Sequence, residues 1–357
     1  RARARYRSCP KSKLGLYALD KAWNPAFPIG SHTFSGVGVA ANASSTIVFV
    51  TQRGNTSLEP VLAINASDGS LITSWGGKDV AIAPGPPATW GAHGLSVEQC
   101  SWPCAEGTPF PWFRVYIEDF TGHTVRSFDG TGNLIATFGM PGVAGNDTSP
   151  LQFGSVADAT VAWSTPFSEP VVFASDGDGG TANRVVAFKA SVPPTVLWAT
   201  PAVYDNPHSI ALHVASGLLI VADREQEQLR LIRAQDGVDL GAWNCGLHLG
   251  AEGRPFGVRT YSDAVARGRA RDYLFVASMD NPQDGKFQRI SVLDASGLTA
   301  AAGAASPCAV LQTLSIEPTE YSGPHLLGVD HATGDIYAAL VADKPRSTVL
   351  RFKCVDC

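Results

Sequence analysis

The 357-residue chain has no surplus of positive charge. Its 27 lysines and arginines face 32 aspartates and glutamates, for a formal net charge of −5. Neither nucleic acid nor an anionic membrane surface is a natural partner for such a chain. It also lacks an apolar run of membrane length. The longest uncharged stretch, Ala295 to Ile316, contains Gly, Ser, Thr, Gln and Pro, and reads as a long loop between structural units. No Ser/Pro-rich or charge-rich linker divides the chain, so one large domain over 14–357 is expected, behind a basic tail over 1–13 that begins Arg1-Ala2-Arg3-Ala4-Arg5. Helical periodicity, a phosphate-binding loop, a dinucleotide fingerprint and a Ser-His-Asp order are all missing. No secretory leader is visible, which a processed form of a longer chain would also show.

What the chain does have is an internal repeat. Six short β-branched and aromatic runs superimpose: Val48-Phe49-Val50, Val115-Tyr116-Ile117, Val172-Phe173-Ala174, Leu219-Ile220-Val221, Leu274-Phe275-Val276 and Ile336-Tyr337-Ala338. Their third residues lie 67, 57, 47, 55 and 62 apart. A Gly/Ala-containing apolar segment precedes each run, and most are followed by a third strand, a polar turn and often a fourth. Four short strands per unit with Gly-rich turns predict an all-β, six-bladed β-propeller. The sixth unit stops after Val349-Leu350-Arg351-Phe352. An N-terminal segment over 14–24 resembles an outer strand elsewhere, Val238 to Trp243, and is expected to close the last blade, removing an exposed sheet edge.

Three histidines with small or apolar neighbours, His93, His208 and His325, stand 115 and 117 residues apart, with 125 left around the chain ends. On a ring they meet at the axis. Three neutral imidazoles with a fourth position left over make a Zn²⁺ site suited to chemistry. Aligning the blades puts Arg53, Phe120, Gly177, Arg224, Met279 and Val341 at one equivalent position just past the second strand. Arginine thus recurs in blades one and four, opposite each other, where two guanidinium groups form a pocket for a carboxylate.

Asn42, Asn55, Asn65 and Asn146 each begin a glycosylation sequon near a turn or loop. The seven cysteines fit disulfides better than metal ribbons. Cys100 with Cys104 would pin a hairpin, and Cys9 with Cys354 or Cys357 would staple the ring closure. An odd count leaves one thiol free or bonded to another chain. Together these features predict a secreted or lumenal, extracellular protein, with an extracellular protein as one conceivable partner.

The constellation resembles the peptidyl-α-hydroxyglycine α-amidating lyases, six-bladed propellers related to the NHL repeat proteins. The resemblance runs from about Val48 to Phe352. It rests on His93-Gly94-Leu95, Asp119-Phe120-Thr121-Gly122-His123-Thr124-Val125, Gly139 to Asp147 leading to Phe153, Ser175-Asp176-Gly177, Pro207-His208-Ser209-Ile210-Ala211-Leu212 and Val221-Ala222-Asp223-Arg224-Glu225. It implies that His93, His208 and His325 hold Zn²⁺ and that Arg53 and Arg224 bind the substrate, a peptide extended by α-hydroxyglycine. That substrate breaks into a peptide amide and glyoxylate.

Departures from the family are specific. A catalytic tyrosine expected after Ser-Asp-Gly is Asp178, followed by the insertion Gly179-Gly180-Thr181-Ala182. A methionine expected two residues before the third histidine is Gly323, and an aspartate expected just after it, a Ca²⁺ ligand, is Leu326. Val37 and Leu95 could still offer backbone carbonyls to Ca²⁺, but uncharged oxygens alone make a poor site unless waters complete it. For the base that takes the hydroxyl proton, the chain offers Asp178, Tyr204 or Tyr321. The alternative to a lyase is a propeller that keeps its metal as a structural pin and binds a protein or glycan on its rim.

Overall fold

The computed structural model describes residues 16–41, 45–80, 89–99, 113–162, 169–249, 253–262, 271–280, 288–341 and 347–355. Their strands form six antiparallel sheets of four, each running in chain order from the axis outward, except the last. In blade one the order is β1 (Phe34–Ala41), β2 (Thr46–Gln52), β3 (Val61–Asn65) and β4 (Leu71–Trp75). The innermost strands of blades two to six are Ala92–Gln99, Val156–Ala162, Pro207–His213, Arg254–Ser262 and Pro324–Val329. Each packs against the innermost strand on either side, and the sixth packs against the first, so the ring is closed.

The sixth sheet takes its outer strand from the other end of the chain. Tyr17 pairs with Cys354, Ala18 with Lys353 and Leu19 with Phe352. The predicted closing segment therefore contributes a three-residue strand. It is held further by the Gln312 side chain, which accepts from Tyr17 N–H at 2.8 Å and donates to its carbonyl at 2.9 Å. Asp20 then turns back onto Lys353 at 2.9 Å. Trp23 is buried between blades six and one, edge-on to Tyr337.

Six apolar clusters make up the core, one per blade interface. Second strands lie in the middle of these wedges and are buried on both faces. Leu218–Asp223 and Ile336–Leu340 are buried throughout, which is why they read as unbroken apolar runs. Outer strands face solvent and lose that signature. The stretch from Ala295 to Ile316 accordingly corrects the expectation of a loop, for it contains the outer strand of blade five, Ala309–Ser315, most of it exposed or half-buried. Trp75 and Trp243 lie at blade interfaces as expected, Trp75 over Phe128 with ring centres 5.3 Å apart.

The cysteines do form disulfides, one of them between residues that no sequence spacing paired. Cys245 and Cys308 form a disulfide between the end of blade four and the loop before the outer strand of blade five. Neither residue belongs to a close sequence pair, so spacing carried no signal for this bridge. Cys354 is also disulfide-bonded, whereas Cys9, Cys100, Cys104 and Cys357 lie outside the described residues. Asn42 lies outside them as well; Asn146 is exposed, Asn55 is half-buried just before a turn, and Asn65 is half-buried at the end of β3.

Candidate metal centre and its arginine rim

Every innermost strand carries a β-bulge near its start. The register slips between Phe34 and Val37, Ala92 and Gly94, Val156 and Asp158, Pro207 and Ser209, Pro255 and Gly257, and Pro324 and Leu327. A bulge re-aims the residue it displaces. Going round the ring, the displaced residues begin with Ser35, His93, Ala157, His208, Phe256 and His325. Histidine thus alternates with non-histidine.

That alternation builds the site. His93 Nδ1 lies 2.7 Å from the Ala157 carbonyl, His208 Nδ1 2.6 Å from that of Phe256, and His325 Nδ1 2.9 Å from that of Ser35. Each imidazole in blades two, four and six is gripped by the bulge carbonyl of the following blade. A carbonyl only accepts, so Nδ1 carries the proton and Nε2 presents a lone pair. The three rings are buried, with exposures of 1%, 0% and 4%. Their ligand atoms lie within 4.8 Å of one another. Burial holds His208 and His325 well below the usual histidine range, helped at His208 by the charge of Arg224 and at His325 by the other imidazoles. Among the described residues, Nε2 of His208 is buried with no hydrogen-bond partner. Neutral rings with inward lone pairs fit a divalent cation.

Both arginines lie near Asp178, but only Arg224 contacts it; Arg53 donates through Nε to the Trp90 carbonyl at 3.4 Å. Arg224 reaches Asp178 through Nη1 at 3.3 Å and Glu225 through Nε at 2.9 Å, while Arg53 is close enough to feel the charge of Asp178. Each guanidinium rests on an aromatic ring: Arg53 4.3 Å above Phe120, and Arg224 5.0 Å above Phe256. Those phenylalanines also pack on the metal-site rings, Phe120 at 5.5 Å from His93 and Phe256 at 5.2 Å from His208. The sequence aligned Phe120 with the arginines. Phe256 went unnoticed because its role depends on its carbonyl and its face, not on a reactive group. Asp178 itself places Oδ2 3.0 Å from His93 Nε2. Burial opposes its ionisation, and the charge of Arg224 favours it.

Other candidates lie elsewhere. Tyr204 donates its hydroxyl to Asp239 at 3.1 Å, and burial with that neighbour pushes its pKa up. Tyr321 packs against the apolar wedge between blades five and six. Val37 and Leu95 are fully buried on adjacent innermost strands, and Leu326 is likewise buried. The His93/His208/His325 group is the metal-ligating cluster among the described residues. At Gly323 the space of the expected methionine is filled by another: a Cβ there would stand 2.3 Å from Met279 Sδ of blade five. His123 donates to or accepts from no ligand position but contacts the Gly154 carbonyl at 2.7 Å, a structural role.

Below the triad lies a buried charge cluster that sequence patterns did not suggest. Arg259 of blade five grips Asp158 of blade three through two nitrogens, at 2.6 and 2.9 Å, and Ser209 donates to the same carboxylate at 2.6 Å. Glu118 of blade two is buried nearby, and desolvation together with the charge of Asp158 raises its pKa well above the usual range.

No protein-family profile matches the chain. It is similar to NHL repeat-containing protein 3 of Mus musculus, 31% identical over 342 residues that span 92% of this chain and 82% of that protein. The Homo sapiens protein of the same name is 30% identical over 337 residues, with the same coverage. Among solved structures, the PQQ-bound aldose sugar dehydrogenase of Streptomyces coelicolor aligns over 95% of this chain and 98% of its own, with a TM-score of 0.54 and 12% identity. That likeness is one of fold alone.

Proposed function

This chain belongs to the family of NHL repeat-containing protein 3, and on that footing we propose that it is a metal-dependent lyase acting on peptides that end in α-hydroxyglycine. The observation that carries the reading is the buried cluster of three histidines beside a carboxylate held by Arg224. A divalent ion, Zn²⁺ by ligand type, would be held by His93, His208 and His325 and would supply Lewis acidity toward the substrate hydroxyl.

The residues divide the remaining work. Arg224 and Arg53 hold the terminal carboxylate, and their seats on Phe256 and Phe120 keep both forks oriented. Asp178 is the carboxylate next to the triad and takes the hydroxyl proton. As the C–O bond becomes a carbonyl, the C–N bond breaks and its electron pair goes to the amide nitrogen, which is reprotonated. The products are a peptide amide and glyoxylate. The test is metal analysis of the purified protein alongside glyoxylate release from an α-hydroxyglycine peptide. Stoichiometric metal without glyoxylate would favour the second reading, a metal-pinned binding propeller. The specific observation behind that alternative is that Asp178 already occupies Arg224.

We also assign the protein to the secretory pathway, on its sequons and the Cys245–Cys308 bridge. Mass spectrometry of natively made protein should find glycan at Asn146, the exposed sequon. Bare asparagine at all four sites would overturn the assignment.

A further inference from the structure

Asp178 sits on a built loop. Its N–H donates to the Ser155 carbonyl at 3.0 Å, and the Ser155 hydroxyl donates back to the Asp178 carbonyl. Gly177 lies flat against Pro207, the residue before His208; a Cβ there would stand 2.2 Å from the proline Cδ. Gly180 lies close on Ser155, where a Cβ would stand 2.8 Å from the serine Cβ, and Gly179 between the two turns at φ +75. Ala182, which ends the insertion, is buried against Gly154. Asp176 supports this platform from beneath, accepting from Gly154 and Ser155 N–H at 2.8 Å each. Packing therefore fixes where the Asp178 side chain emerges.

The carboxylate meets His93 in a way that places a proton or a cation between them. His93 Nδ1 is committed to Ala157, so the neutral ring offers a lone pair at Nε2. Asp178 Oδ2 stands 3.0 Å from that lone pair. Two electron-pair donors so close repel unless a proton or a metal ion lies between them, and a metal held by the three histidines would take the place of that proton. Ligand atoms about 2.0–2.2 Å from a tetrahedral Zn²⁺ stand roughly 3.3–3.6 Å apart, so a shift of a few tenths of an ångström would bring this oxygen into the shell of a shared ion.

We propose that Asp178 is a fourth protein ligand of the metal, giving a three-histidine, one-carboxylate site that is closed at rest. The second carboxylate oxygen, on Arg224, marks where an incoming carboxylate competes: as that ligand takes Arg224, Asp178 leaves the metal and becomes the free base. The proposal rests on the metal reading above and deepens it.

Co²⁺-substituted protein tests it without any turnover. Wild type should give the intense visible bands of a four-coordinate ion. Asp178→Asn should shift those bands and weaken Zn²⁺ binding by tenfold or more, measured by chelator competition. Asp178→Ala, with an unchanged circular dichroism spectrum, repeats the comparison in case asparagine still ligates through its carbonyl. Acetate should change the wild-type Co²⁺ spectrum in a saturable way, and the change should be lost in Arg224→Ala. Identical Co²⁺ spectra and Zn²⁺ affinities for wild type and both Asp178 variants would overturn the proposal while leaving the three-histidine site intact. A wild type that binds no metal would overturn both.

Discussion

His93 donates its Nδ1 proton to the carbonyl of Ala157 across 2.7 Å, and Ala157 is itself the bulge residue of the neighbouring blade. The same bond recurs from His208 to Phe256 and from His325 to Ser35. Each metal ligand is therefore oriented by backbone from the next blade, and no side-chain substitution removes that support. The site and the closure of the ring are one construction.

Metal removal should consequently destabilise the whole propeller. A chelator should lower the melting temperature, because an ion that binds only the folded state contributes about 4 kcal/mol when present at a thousand times its Kd. His208→Ala should abolish metal binding by plasma mass spectrometry and make melting insensitive to the chelator. An unchanged wild-type melting curve on chelation would count against the shared construction.

Arg224→Ala should leave metal content unaltered and reduce kcat/KM for glyoxylate release by about ten- to a hundredfold, the loss of one charge-assisted hydrogen bond of roughly 1.5–3 kcal/mol. Lysine at Arg53 or Arg224 should rescue only in part, since an ammonium has no planar fork. Full activity in Arg224→Lys would show that charge alone suffices.

The buried pair beneath the site makes a separate stability prediction. Arg259→Met strips the bidentate partner from Asp158, beside the equally buried Glu118, and should cost on the order of 3–5 kcal/mol in urea unfolding. Asp158→Asn in the same chain should restore much of it, because the uncompensated charge is then gone. Additive losses in the double variant would argue that the pair is not the unit.

Asp223 gives a pH dependence of definite sign. Burial first, and Asp205 with it, raise its pKa to about 6, against partial relief from the Asp205 N–H and Arg230. The folded state then binds more protons than the unfolded chain between about pH 4 and 6, so stability falls as pH rises through that window and levels off above it. The fall should be about 3 kcal/mol at most. Asp223→Asn should flatten that slope, as read from urea midpoints at pH 4.5 and 7.

The sequence by itself determined the ring. Second strands such as Leu219-Ile220-Val221 are buried on both faces, so their apolar runs survive every local variation, and six of them count six blades. The same register made His93, His208 and His325 alternate and set Arg53 opposite Arg224, because equivalent positions in a cyclic repeat point to equivalent places. Tertiary structure decided the rest. The outer strand of blade five was hidden, since a solvent-facing edge needs no apolar pattern. The carbonyls of Ser35, Ala157 and Phe256 carry no residue-type signal at all. Asp178 could be named as a candidate from its chain position, but only the packing of Gly177 and Gly180 brought its carboxylate to both His93 and Arg224. The Arg259–Asp158 contact joins residues 101 apart, and nothing in a one-dimensional pattern encodes a contact whose partners meet only after the ring has closed.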